Sequence, residues 1–136
     1  VPDTIDGRFD LVAALLALVL IRLEQEEERT RATSVLLTEI FIDDMEGTVR
    51  QIGIGDLMVG KHMGKLVGAL GGRIGAFREA VTQEAAMRDA VRRNVFHEAP
   101  SSEAALDFVT ARLLRFHEGL EATSTQSLIE GKVPSP

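Results

Sequence analysis

Two groups of residues in this 136-residue chain have types and spacings that chemistry uses. Gly55, Gly60 and Lys61 fall into G-x-x-x-x-G-K, most of a phosphate-binding loop. Such a loop needs a strand that delivers the chain, glycine amides facing the phosphates, and Ser or Thr after the Lys to hold magnesium. Here the preceding segment has a helical pattern and the residue after Lys61 is His62. A nucleotide-binding protein is therefore the weakest of the readings kept. The other group is titratable. His62, His97 and His117 are scattered, and none pairs with a second ligand at helical spacing. Asp43, Asp44 and Glu46 cluster, but no nucleophile motif, metal set or cofactor fingerprint accompanies them. No catalytic residue, metal or cofactor is expected, and the chain reads as a non-enzyme.

The unusual feature lies beside the lysine. Nine of the twelve glycines fall between Gly47 and Gly75, and Gly60, Gly64, Gly68 and Gly72 recur every four residues. On a helix they project into one sector beside an apolar stripe. Each interior glycine costs a helix roughly 1 kcal/mol relative to Ala, so something must offset the set. Glycines at this spacing flatten a face for close backbone approach. The preferred occupant of that face is another helix of the same domain, with Leu11–Ile21 and its Ala13, Ala14 and Ala17 as the candidate. The alternative is an open groove for a partner helix. Lys61, His62, Lys65, Arg73 and Arg78 flank the ladder as a local basic cluster.

These residues need elements to position them, and composition bounds which kind. A chain with 45% hydrophobic residues supports one domain with a real core. Aromatics make up 4%, with no Trp or Tyr, which favours helices over an aromatic-rich sandwich. A net charge of −6 argues against nucleic acid as a direct ligand, because such binding needs a clustered positive face. The absence of cysteine removes disulfides and thiolate sites. The longest apolar run, Leu11–Ile21, falls well short of the roughly 20 residues needed to cross a bilayer.

Periodicity predicts an all-α fold, a single compact bundle of about five to six helices occupying residues 1–136. The first helix is expected over Phe9–Arg31, at the centre of the bundle. The second starts at Thr33 or Ser34 and buries Val35, Leu36, Ile40, Phe41, Met45, Val49 and Ile52. Gly53 and Gly55 stop it. Asp56 caps a third, whose stripe is Met63, Leu66, Val67, Leu70, Ile74, Phe77 and Val81. Thr82 caps a fourth unless the third continues through a kink. The fifth runs from Ser102 to about Ala122, burying Leu106, Val109, Leu113, Phe116 and Leu120. A short last helix holds "QSLIEGKV". From the residues alone the chain reads as a helical interaction domain, with a homo-oligomer joined through its glycine face as an alternative.

Four segments, "VPDTIDGRFDL", "DDMEGTVRQIGIGDLMVGKHMGKL", "GGRIGAF" and "LIEGKVPSP", occur in order along nearly the whole chain. Together they resemble the ubiquinol–cytochrome c chaperone family of respiratory complex III assembly factors. The resemblance implies an all-helical chaperone domain that binds newly synthesised cytochrome b, in the ribosome vicinity or at the inner-membrane surface. It also implies a short helical segment before Val1. The location implied is bacterial, cytoplasmic and peripheral to the inner membrane, or the matrix side of mitochondria in a eukaryote. The partner-binding residues expected are Asp44, Met45, Arg50, Gly55, Asp56, Leu57, Met58, Val59, Gly60, Lys61, Met63, Gly64, Lys65, Gly68, Gly72 and Arg73. Gly55 and Asp56 would set the turn, Lys61, Lys65 and Arg73 supply charge, and the methionines, Val59 and the ladder supply apolar contact. One departure is that Leu70 and Gly71 stand where the family pattern has two aromatics.

Overall fold

Where the helices end is decided as much by contacts across the molecule as by local breakers. The computed structural model describes residues 5–51, 56–97 and 102–136, with the side chains of all of these except 5–6, 48–51, 56–60, 62, 63 and 66. They form six helices: α1 (Ile5–Glu24), α2 (Glu27–Gln51), α3 (Asp56–Ala80), α4 (Glu84–Asn94), α5 (Glu103–Ala122) and α6 (Thr125–Ile129). No strand occurs among the described residues.

The first expected helix is in fact two. α1 stops at Glu24 and α2 begins at Glu27, without a glycine or proline at the break. The turn is held by Thr30, fully buried, whose hydroxyl donates to the carbonyls of Leu23 at 2.6 Å and Glu26 at 3.0 Å. Arg22, also buried, reaches across to the end of α5. Its Nε donates to the Leu120 carbonyl at 3.0 Å and its Nη2 to the Thr123 carbonyl at 2.9 Å. α5 has no basic residue in its own last turn, so α1 supplies the cation that its carbonyls favour. Local charge agrees with the break, because Glu27 and Glu28 then occupy the first turn of a helix, where the dipole stabilises carboxylates.

The remaining boundaries are closer to expectation. α3 begins at Asp56, the residue expected to cap it, whose side chain is outside the described set; Gly53 and Gly55 lie outside the described residues. α4 is separate, but its N-cap is Gln83 without a side-chain cap bond; the Thr82 hydroxyl instead donates back to the Glu79 carbonyl at 3.4 Å. Ser102 caps α5, its hydroxyl accepting from the Ala105 amide at 3.0 Å. α6 is shorter than predicted, because Gly131 at φ +85° takes the left-handed conformation that ends helices. Its amide donates to the Leu128 carbonyl at 3.0 Å.

α1 is the centre of the bundle, packed by α2, α3 and α5, while α4 bridges α3 and α5. Its Ala13, Ala14 and Ala17 are fully buried, and their small side chains admit neighbours closely on more than one side. The main core joins Leu18, Phe77, Met87, Val91, Leu106, Leu113 and Leu120 from four helices. A smaller cluster, Phe9, Ala13, Leu16, Leu20, Phe41 and Leu70, is what attaches α2. The fifth helix buries its stripe as expected, with Val109 half-buried.

The second helix does not. Of its predicted core set Phe41 is buried and Met45 half-buried, while Val35, Leu36 and Ile40 are exposed; the side chains of Val49 and Ile52 lie outside the described set. The stripe was read with correct helical spacing, but α2 lies at the edge of the bundle, and its main neighbours among the described residues are α1, α3 and α6. Those contacts engage Leu37 and Phe41 more than Leu36 and Ile40.

Candidate functional site

The glycine-bearing face of α3 is open. A Cβ added at Gly64, Gly68, Gly71, Gly72 or Gly75 would meet no atom within 4 Å. The preferred expectation, that another helix of the domain fills this face, is overturned. α1 packs on α3 through its other side, where Leu70, Arg73 and Phe77 are buried. Val67, 41% exposed, borders the glycines with an uncovered apolar side chain. Lys61, Gly64 and Lys65 are exposed on the same helix. Lys61 therefore sits in the early turns of a helix that follows a helix, and the strand a phosphate loop requires is not among the described residues.

The basic cluster expected around the ladder does not form as a unit. Arg73 points inward and is buried. Its Nη2 donates to Asp10 Oδ1 at 2.5 Å, and its guanidinium carbon lies 5.3 Å from the Phe9 ring centroid. Phe9 in turn packs on Phe41 at 5.7 Å between centroids, so Arg73 helps to knit α1, α2 and α3 together. A surface charge role for Arg73 is withdrawn. Arg78 is taken by Glu24, with Nη2 and Nε at 2.5 Å and 3.1 Å from its carboxylate oxygens. That hydrogen bond, and then the charge itself, raises the Arg78 pKa. Lys61 and Lys65 remain as exposed cations there, and the His62 side chain lies outside the described set.

Asp10 is a functional-looking residue that sequence reasoning did not single out. It is buried, and besides Arg73 it engages His97 Nε2 through Oδ2 at 2.6 Å, across 87 positions of sequence. His97 adopts φ +50°, an uncommon conformation for a residue with a side chain, while its ring is 61% exposed. No helical spacing could have shown this pair, because it is made by folding. A buried carboxylate engaged by Arg73 through one oxygen and by His97 through the other is committed to structure.

Of the other partner-binding residues expected, Asp44 is exposed and Met45 half-buried near the outer end of α2. Gly68 and Gly72 lie on the open face. Gly55 lies outside the described residues; Arg50, Asp56, Leu57, Met58, Val59, Gly60 and Met63 lie on helices whose side chains there are outside the described set. Among the described residues no group of His, Asp and Glu is placed to hold a metal ion. Among them, too, no helix is long and apolar enough to cross a membrane.

Against known proteins, the sequence model described as Ubiquinol-cytochrome C chaperone matches residues 1–134. The chain belongs to the ubiquinol–cytochrome c chaperone family. The fold of this chaperone is also similar to the crystal structure of the Cbp3 homolog from Brucella abortus, at 28% identity and a TM-score of 0.86. That similarity covers 100% of this chain and 76% of the Brucella chain. Among curated proteins none matches the chaperone. The family resemblance read from the four sequence segments is thereby shown, as is the all-α architecture it implied.

Proposed function

We propose that this chain is a non-enzymatic assembly chaperone that holds a segment of newly synthesised cytochrome b while the ubiquinol–cytochrome c reductase complex is built. Membership of the family over residues 1–134 carries the reading. It gains support from a site whose chemistry is contact rather than catalysis. α3 offers a flat strip of backbone at Gly64, Gly68 and Gly72 with Val67 at its border and Lys61 and Lys65 nearby. A helix of a membrane protein, itself rich in small residues, can approach such a strip closely and gain dispersion contact along its length. In this reading the chaperone works in the vicinity of the ribosome that releases the client or at the inner-membrane surface, on the cytoplasmic side in a bacterium or the matrix side in a mitochondrion.

Photo-crosslinkers placed singly at Lys61, Val67 and other exposed positions, with cytochrome b synthesised in the presence of the chaperone, test this. Adducts to cytochrome b are expected, with Val67 among the productive positions. Failure to capture cytochrome b from any surface position would sink the reading. The open strip also fits a second copy of the chain, and light scattering distinguishes it: self-association that Gly68→Leu removes would assign the strip to a homo-oligomer.

A further inference from the structure

The apolar side chains that α2 leaves uncovered line a concave surface distinct from the glycine strip. Two adjoining cavities of about 500 Å³ and about 220 Å³ share Val19, Leu37, Ile40 and Val133. α1 and α2 form two walls, and the tail after α6 forms the third. That tail is fixed in place. Arg112 donates to the Pro136 carbonyl, and Pro134 lies against Gly119 so closely that a Cβ there would sit 2.9 Å from it. Val12, Leu36, Ile40 and Val133 remain between 43% and 57% exposed around this groove. Large apolar side chains gathered on one concave surface, rather than scattered singly, mark a binding site.

The charge around the groove selects the occupant. Between Arg31 and Arg50, α2 carries Glu39, Asp43, Asp44 and Glu46 and no basic residue. Asp44 lines the larger cavity, and Asp43 lies one turn beyond Ile40 on the exposed side. Arg8 on α1 is already engaged, as are Asp44 and Glu46, so Glu39 and Asp43 carry the charge of the rim; of the other basic residues nearby, Lys132 on the tail is 3.4 Å from Glu130 and Arg112 is bonded to Pro136. An acidic rim repels an anionic membrane surface and attracts an apolar helix that carries Lys or Arg. Membrane proteins concentrate Lys and Arg where a spanning helix meets the cytoplasmic side. We propose that this groove receives the positively charged end of a membrane-destined client helix, its apolar face against Leu36, Ile40 and Val12 and its basic residues toward Glu39 and Asp43. The client assignment rests on the chaperone reading, whereas the groove's preference for a cationic apolar helix does not.

The test uses the full chain and two fluorescein-labelled synthetic peptides, each an amphipathic Leu/Ala helix of roughly five turns. One ends in three lysines and the other in three glutamates. Fluorescence anisotropy is expected to show binding of the Lys-ended peptide at least about tenfold tighter than the Glu-ended one, weakening as salt rises. Ile40→Asp with Leu36→Asp is expected to weaken it at least about tenfold, since both side chains sit at the centre of the contact. Glu39→Lys with Asp43→Lys is expected to reverse the preference. All four residues are exposed, so helical circular dichroism should stay unchanged, and Ala85→Asp, on exposed α4 surface away from the groove, should leave binding intact. Equal affinity for both peptides, or binding indifferent to the Leu36 and Ile40 changes, overturns the proposal. So does binding of phosphatidylglycerol vesicles that Ile40→Asp abolishes while neither peptide binds. Cytochrome b adducts from Val67 together with a groove that ignores the Lys-ended peptide would retain the chaperone reading and remove the groove from it.

Discussion

The buried Asp10–Arg73 pair is the most consequential residue-scale feature. Both side chains are more than nine-tenths buried, and the Arg73 Nε has no partner at all. Removing one member leaves the other charge buried without compensation, which typically costs about 3–5 kcal/mol. Asp10→Ala is therefore expected to lower the urea unfolding midpoint steeply, and the double change Asp10→Ala with Arg73→Met to recover most of the loss. If the double variant is as unstable as the single one, the pair is not what Asp10 stabilises. His97 is a different case, because its exposed ring limits the contact to the strength of a surface pair, about 1 kcal/mol or less.

At the scale of elements, α2 and α3 each carry a face that the fold leaves unoccupied. On α2, Phe41→Ala should cost about 3–5 kcal/mol, since its ring sits in the smaller cluster against Phe9. Ile40→Ala, one residue along, should change stability by no more than about 0.5 kcal/mol. Denaturant midpoints for the two variants settle the asymmetry, and similar costs would mean that the groove face is buried in solution. On α3, Gly68→Ala and Gly72→Ala meet open space and relieve the helix of a flexible residue, so each should stabilise by about 0.5–1 kcal/mol. A loss instead would place a neighbour on the strip. Among the described residues nothing approaches these glycines, so they lower the helix's own stability without a packing return inside the domain.

Over the whole molecule, distant segments of sequence complete one another's ends. Arg22 of α1 caps α5, Gln25 donates to Glu121 at 2.6 Å, Arg29 donates to Gln126 at 2.7 Å, and Glu26 is hydrogen-bonded by Thr125. These bonds tie the α1–α2 turn to the α5–α6 corner, and the tail from Gly131 onward runs from that corner along the groove. Gly119→Ala tests the tail's seating. The added methyl meets the Pro134 ring, while Ala within α5 gains about 1 kcal/mol of helix propensity. Global stability should hold or rise while carboxypeptidase trims the tail faster than in the parent; unchanged trimming would show that the tail does not pack on α5.

Periodicity and composition were enough to read the all-α class, the central position of α1, the buried stripe of α5 and its start near Ser102, because each depends on contacts within a few residues or on one helix face. The family could be read from four segments of specific sequence. What local pattern could not reveal was how many neighbours each helix would have. The turn after Glu24 depends on Thr30 and on bonds to α5 and α6, the Asp10–Arg73–His97 cluster joins three distant positions, and the apolar face of α2 looks in sequence like any core stripe. An apolar stripe states that a helix has something to bury. Only the packing of the other helices determines whether the domain covers it or leaves it for another molecule.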